Sequence, residues 1–438
     1  MIDLIRITAP FKLDAVSCSG RPLSTVQALA DGEVGQIKDM LRYTQSGLLL
    51  QAKNVSRADD GTLTVTDLSH PFDSLPSSHS AMAFKIVDIN GWPHVTLKAS
   101  PAKLLQGHNI YGGSSLRQGI VEMLGSLAVV FPDVYEDLEV ALTQVTNLDV
   151  TYSARYANPD DPNGQHLGRE LISYLRTLSS GQLKARGVGY ETTTYWGSAD
   201  SQLGYVKAYL KEDEFLKQFK DVKQQAKRGD ALAARMFAVM SCPELQHWAK
   251  CLLRLEASFK KDWLRRAGLP LNAWHLIKYQ EEQQALGKCF LRDIWAKKCA
   301  PLFAACEGQK MKVLDDNEIH ESIRSTHFRQ TRSGAISYSY ADDLFRFYLD
   351  IKNRGYAIVR TQSMQNDSSK MKFYRYIKDL SLAGISKATL QAFALNHTPS
   401  VVPVLRFLDV DFSSQHPAGY VEPISRFYVG HPVLSLVA

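Results

Sequence analysis

Apolar and polar residues alternate with a period of two in several short runs, and each run predicts a β-strand with one face turned inward. LTVTDL (63–68), MAFKIV (82–87), HVTLKA (94–99) and LDVTYS (148–153) are rich in β-branched residues and bounded by turn-forming ones. ETTTYWG (191–197) and GYVKAYL (204–210) predict two further strands joined by the polar connection GSADSQ, and CLLRLEASF (251–259) returns to the same alternation. Helical spacing interrupts these runs at 114–131 and again at 166–178, with Gly181 just beyond. Residues 212–230 carry acidic side chains in the first turn and basic ones in the last, the order that a helix dipole favours. From Pro270 onward the spacing is mainly helical. Two aromatic and basic helices are expected at 342–355 and 370–384, and SKATLQAFAL after Gly384 reads as the second half of a helix-turn-helix. The pattern predicts an α+β chain, with helices laid against an antiparallel sheet and a mainly helical C-terminal domain.

The chain has 438 residues, 45% hydrophobic and 22% charged, enough for two or three domains with sizeable cores and unlike a disordered or fibrous chain. Its net charge of +6 is unevenly spread. Residues 1–150 hold 11 Lys and Arg against 16 Asp and Glu, whereas 207–266 hold 14 against 8. A localised basic excess points to a polyanion, although a solvated helix face gives the same count. The six cysteines form no C-x-x-C pair, which suggests free thiols in a reducing compartment. No apolar run reaches the ~18 residues of a membrane span, and MIDLIRITAPFKLD lacks the basic start and apolar core of a signal peptide. A cytoplasmic protein is expected.

Three predicted strands gather polar residues on one face. Tyr205, Lys207, Tyr209 and Lys211 share a face, as do Asp149, Thr151, Ser153 and Arg155, and as do Arg254, Glu256 and Ser258. If these strands are neighbours, a tyrosine, a lysine and two carboxylates meet on one sheet surface. That set suits phosphodiester chemistry. A tyrosine hydroxyl can attack phosphorus and form a phosphotyrosine, and carboxylates hold Mg²⁺ or Mn²⁺ through hard oxygens. His108 in LLQGHN is a plausible third ligand. The plainer readings are a half-exposed sheet face for Y-x-K, an ion pair for Arg254 with Glu256, and turn residues for His108 and His70.

The chain resembles the filamentous-phage gene II replication initiators, the nicking and rejoining endonucleases of rolling-circle replication. The stretches that carry the resemblance run from end to end and include LTVTDLSHPFDSLP (63–76), KASPAKLLQGHNIYG (98–112), LDVTYSAR (148–155), VKAYLK (206–211), LLRLEASF (252–259) and VVPVLRFLDVDFSSQHP (401–417). The resemblance implies a nickase-like catalytic region over 1–310, with its core at about 62–270, and a C-terminal domain over 311–438. Met311 stands where the family starts a shorter second product. The resemblance assigns the covalent tyrosine to Tyr209, with Lys211 beside it and Tyr205 as a possible second tyrosine. No H-x-H metal motif is present, so Asp149 and Glu256, with His108 third, are the ligands expected for Mg²⁺.

The implied activity is nicking of the plus strand at a supercoiled duplex origin through a 5′-phosphotyrosine. A 3′-OH primer is left, and the displaced strand is later cut and recircularised. Lys207, Arg254, Arg155, Lys260 and Lys261 are the expected DNA contacts. Host helicase and polymerase are the expected partners, with oligomers on origin repeats, in the cytoplasm of a host bacterium. The other reading is a non-catalytic regulator that binds the origin.

Overall fold

The computed structural model describes residues 1–18, 23–38, 43, 51–57, 63–69, 73–77, 79–177, 179–180, 183–186, 190–198, 200–306, 316–330, 334–393 and 410–428. Gly181, His70, Met311 and most of the 401–417 stretch lie outside them, as does the expected boundary at 308–310.

Ten strands build the main sheet: β1 Ile2–Pro10, β2 Asp73–Pro76, β3 Ala81–Ile89, β4 Trp92–Ala99, β5 Gln144–Arg155, β6 Ser179–Ser180, β7 Leu183–Arg186, β8 Thr193–Trp196, β9 Val206–Leu210 and β10 Leu252–Lys260. Their order is β6-β7-β8-β9-β10-β5-β1-β4-β3-β2, and neighbouring strands are antiparallel throughout. The sheet is therefore the antiparallel one that the alternation predicts. It differs in two places. LTVTDL forms a strand, Leu63–Ser69, but among the described residues it pairs only with Gln51–Arg57, in a separate ribbon. And β1, which lies outside the expected core of about 62–270, runs through the middle of the sheet between β5 and β4.

The apolar face of the sheet carries Ile5, Ile7, Leu148, Val150, Val206, Ala208, Leu253 and Leu255. They join one hydrophobic cluster with Leu116, Ile120 and Leu124 of the helix Leu116–Val130 and with Trp295 of the helix Phe290–Cys306. Trp295 is fully enclosed, and its indole N–H donates to the Leu255 carbonyl at 3.0 Å. Ser115 caps Leu116–Val130 by accepting from the Gln118 N–H. The expected helix over 212–230 forms, and a second one follows it directly. Lys211–Lys227 stops before Gly229, at φ 92°, and Asp230 caps a new helix, Ala231–Met240.

Residues 316–393 form a helical unit with its own core, including Ile319, Leu344, Tyr348, Phe373 and Leu380. The expected helix-turn-helix has the right connection, Asp367–Leu382, a turn through Gly384, then Lys387–Ala392. Its second helix, however, packs against Phe290–Cys306 and Gly164–Thr177, which removes it from the free surface a recognition helix needs. Residues 410–428 contain no helix or strand and return to the sheet domain, so the C-terminal third is not wholly separate. Among the described residues no helix is long and apolar enough to cross a membrane.

Candidate active site

The polar faces of β9, β10 and β5 meet in register. Tyr209 lies opposite Arg254, Lys207 opposite Glu256, Arg254 opposite Ser153, and Ser258 opposite Asp149. These residues form the convergence that alternation alone predicts. It is more enclosed than a half-exposed sheet face.

Tyr209 is 4% exposed. The ammonium of Lys207 sits 4.1 Å from the centre of its ring, and Arg254 faces it across the strand pair. Burial pushes the phenol well above its ordinary range, with the charge of Asp3 adding and that of Arg254 opposing. Tyr205 is half-buried near Tyr195, and burial, then Glu256 and Asp149, raise its phenol as well.

The strand ends at Leu210, because Glu212, Asp213 and Glu214 favour the first turn of a helix. Lys211 is thus the first helical residue rather than a strand residue, and it is fully buried. Its ammonium donates to Asn109 Oδ1 at 2.9 Å and to the Glu214 carboxylate. Burial and then the Arg254 charge pull Lys211 down to about 7. Burial works against the ionised form of Glu214, yet Lys211 and then Lys103 hold it down to about 2.

Asp149 and Glu256 are both buried. Burial raises each, and Asp3 adds to both. The hydrogen bonds of Asp149 with Ser258 and Asn147 oppose its rise; Lys207, 3.7 Å from Glu256, opposes the rise there. Asp3 is a third carboxylate of this group. It comes from β1, at the irregularity between Ile2 and Leu4 where that strand meets β5. Among the described residues no three His, Cys, Asp or Glu side chains form a ready-made metal cage. Each of the three carboxylates is by its chemistry a hard oxygen donor. Like charge among them adds to the rise of Asp149 and Glu256.

His108 does not join them. The charges that reach it are those of Lys211 and Arg254, and burial first, then these, press it down to about 3. Its Nδ1 accepts from the Ile110 N–H at 3.3 Å. The neutral ring therefore carries its proton on Nε2, which makes that nitrogen a donor and not the lone pair a metal requires.

Arg254 is 1% exposed, so it is not a surface DNA contact. Its guanidinium donates to the carbonyls of Asn109 and Ile110 and, at 3.3 Å, to Ser153 Oγ. The Asp3 carboxylate is 3.6 Å away. Arg155 is partly enclosed, donating to the carbonyls of Lys250 and Trp248. Lys260 and Lys261 are half-buried at the far end of β10 and the start of the next helix.

Asp3, Asn109 and Glu214 are the site residues that the alternation misses. Asn109 joins three of the others, since its Nδ2 donates to Asp3 at 3.0 Å, its Oδ1 receives Lys211 and its carbonyl receives Arg254. For Glu214 a signal existed, because it lies three residues after Lys211 in a helical run.

Two family models match the chain. That of the N-terminal part of the phage gene II replication-associated protein matches residues 1–285, and that of its C-terminal part matches 331–426. The gene II replication-associated protein of Salmonella phage IKe is 37% identical over 435 residues, covering 98% of this chain and 97% of that one. The proteins of the same name from Enterobacteria phages M13 and f1 are each 36% identical over 430 residues, covering 97% of this chain and all of theirs. No solved structure matches. The chain belongs to the gene II replication-associated protein family of filamentous phages, and its place is in phage DNA replication.

Proposed function

We propose that the chain is an origin-specific DNA endonuclease and strand transferase with Tyr209 as its nucleophile. The observation that carries this reading is the placing of Tyr209 against Arg254 and Lys207, on a buried polar face with Glu256, Asp149 and Asp3 around it. The Tyr209 oxygen attacks one phosphodiester of the plus strand. A phosphorus–tyrosine bond forms, the bond to the 3′ oxygen breaks, and that oxygen leaves as a 3′-OH primer. In the closing step a 3′-OH attacks the phosphotyrosine and expels the phenol, so joining needs no ATP.

Because burial keeps the Tyr209 phenol protonated, its proton must leave as the attack proceeds. The Arg254 charge stabilises the oxygen that is left, in both directions of the reaction, while Lys207 lies over the face of the ring. Mg²⁺ or Mn²⁺, held by Asp149, Glu256 and Asp3, would polarise the scissile phosphate when bound. Supercoiled origin DNA is the expected substrate, since only a distorted or melted strand reaches an enclosed tyrosine. Host helicase and polymerase would then extend the primer.

The low exposure of Tyr209 also suits a second reading, a DNA-binding regulator in which this tyrosine is structural. One experiment separates the two. Incubated with supercoiled origin DNA and Mg²⁺, the parent should nick it and retain labelled DNA through SDS denaturation, and Tyr209→Phe should do neither. Nicking by Tyr209→Phe would remove this nucleophile, and a parent that never nicks would leave the regulator.

A further inference from the structure

On the far side of the loop that joins Asp3, Lys211 and Arg254 lies a cluster of rings. Tyr111 meets His108, Trp248, His416 and Tyr420 edge-on, with centroids 4.7, 6.2, 6.4 and 5.3 Å away. His416 and Tyr420 stack on each other at 4.4 Å and 8°. The Arg155 guanidinium lies 5.4 Å from the centre of the Trp248 ring. Tyr111, Trp248, His416 and Tyr420 are all only partly buried, so solvent reaches some of each. Tyr111 and Trp248 rest against an apolar cluster that contains Ile110 and Leu252. The rings come from three distant parts of the chain.

We propose that this ring cluster is a stacking platform for unpaired bases of a DNA strand. Aromatic faces beside a cation are what a base and its phosphate need, and such stacking is indifferent to sequence. The charge around the cluster favours a polyanion over an apolar peptide. Arg155 lies on its rim. Two carboxylates, Glu244 and Glu422, also border the cluster, and the Glu422 charge reaches Tyr420, so Arg155 is the contact a phosphate would use. The cluster is also continuous with the Tyr209 site, through His108 and the Asn109 and Ile110 carbonyls that hold Arg254. The proposal rests on the strand-transfer reading only in naming the strand next to the scissile phosphate as the occupant.

The test uses the full chain, a fluorescein-labelled oligothymidylate of about ten nucleotides and fluorescence anisotropy at fixed salt. Trp248→Leu and Tyr111→Leu, which keep an apolar side chain but lose the ring, should each weaken oligonucleotide binding about tenfold. Binding to a duplex of unrelated sequence should stay within about twofold, and Trp248→Phe should restore most of the lost affinity. Tyr420→Leu, on the returning C-terminal segment, gives the same reading if either of the first variants fails to fold. Leu variants that bind the oligonucleotide within about twofold of the parent, or that lose duplex and single strand equally, would overturn the proposal. Adduct formation by Tyr209→Phe is scored separately, so failure of the nucleophile and failure of the platform give different results.

Discussion

Arg254 shows how burial changes what a residue is for. On a surface it would be one more phosphate contact. Enclosed, it holds two loop carbonyls in place and faces the tyrosine across the strand pair. Arg254→Met would leave both carbonyls and Asp3 without it, at a cost of about 3 kcal/mol or more. Urea denaturation should show that loss, and a change under about 1 kcal/mol would mean the loop holds itself.

His108 makes a pH prediction of definite sign. Its folded value, about 3, lies below the unfolded imidazole's 6.5. Between those values the unfolded chain binds a proton that the folded one refuses, so the stabilising contribution is whole above 6.5 and fades as pH falls towards 3. His108→Gln should flatten that part of the profile when urea denaturation is compared at several pH values. An unchanged slope would place the acid sensitivity elsewhere.

At the level of elements, the break between Lys211–Lys227 and Ala231–Met240 depends on two residues. Gly229 adopts φ 92°, and Asp230 accepts from the N–H groups of Leu232 and Ala233. Asp230→Ala should cost about 1 kcal/mol, read by thermal or urea denaturation, and a neutral result would show that the second helix needs no cap. The charge pattern running from acidic to basic over 212–230 belongs to the first helix alone and ends at this break, so the stop is legible in the sequence.

The same scale explains which strands are legible. Along 206–210 and 252–260 the alternation is unbroken, so Tyr209, Glu256 and their partners can be placed on one face from sequence alone. In β1 the buried apolar residues that join the main core are Ile2, Ile5, Ile7 and Ala9, and the step of three after Ile2 marks the irregularity that carries Asp3. That slip breaks the period of two, which hides both the strand and its carboxylate. The part played by Asn109 is invisible for another reason: it depends on long-range contacts with Asp3, Lys211 and Arg254, and no local pattern encodes them.

Across the whole molecule, the segment 410–428 ties the end of the described chain to the sheet domain. The Gln415 amide bonds both the N–H and the carbonyl of Ser153, as a neighbouring strand would. Glu422 receives the Ser115 N–H beside the start of Leu116–Val130, and Ser425 and Arg426 satisfy the buried Glu122. Phe427 fills the space over Gly125. Phe427→Ala should cost about 3 kcal/mol. A loss under about 0.5 kcal/mol in urea denaturation would show that the segment merely lies on the surface.

This return of the chain also sets an order of events during synthesis. The last main-sheet strand, β10, ends at Lys260, but the residues that fasten Ser153, Glu122 and the Gly112 carbonyl run from Gln415 to Arg426. At about 5–20 residues per second, a ribosome needs on the order of ten to thirty seconds to cover that interval. For that time a nascent chain has every strand of its sheet but not its clasp, and Gln415, Glu422 and Phe427 can meet their partners only after the residues of the sheet have been made.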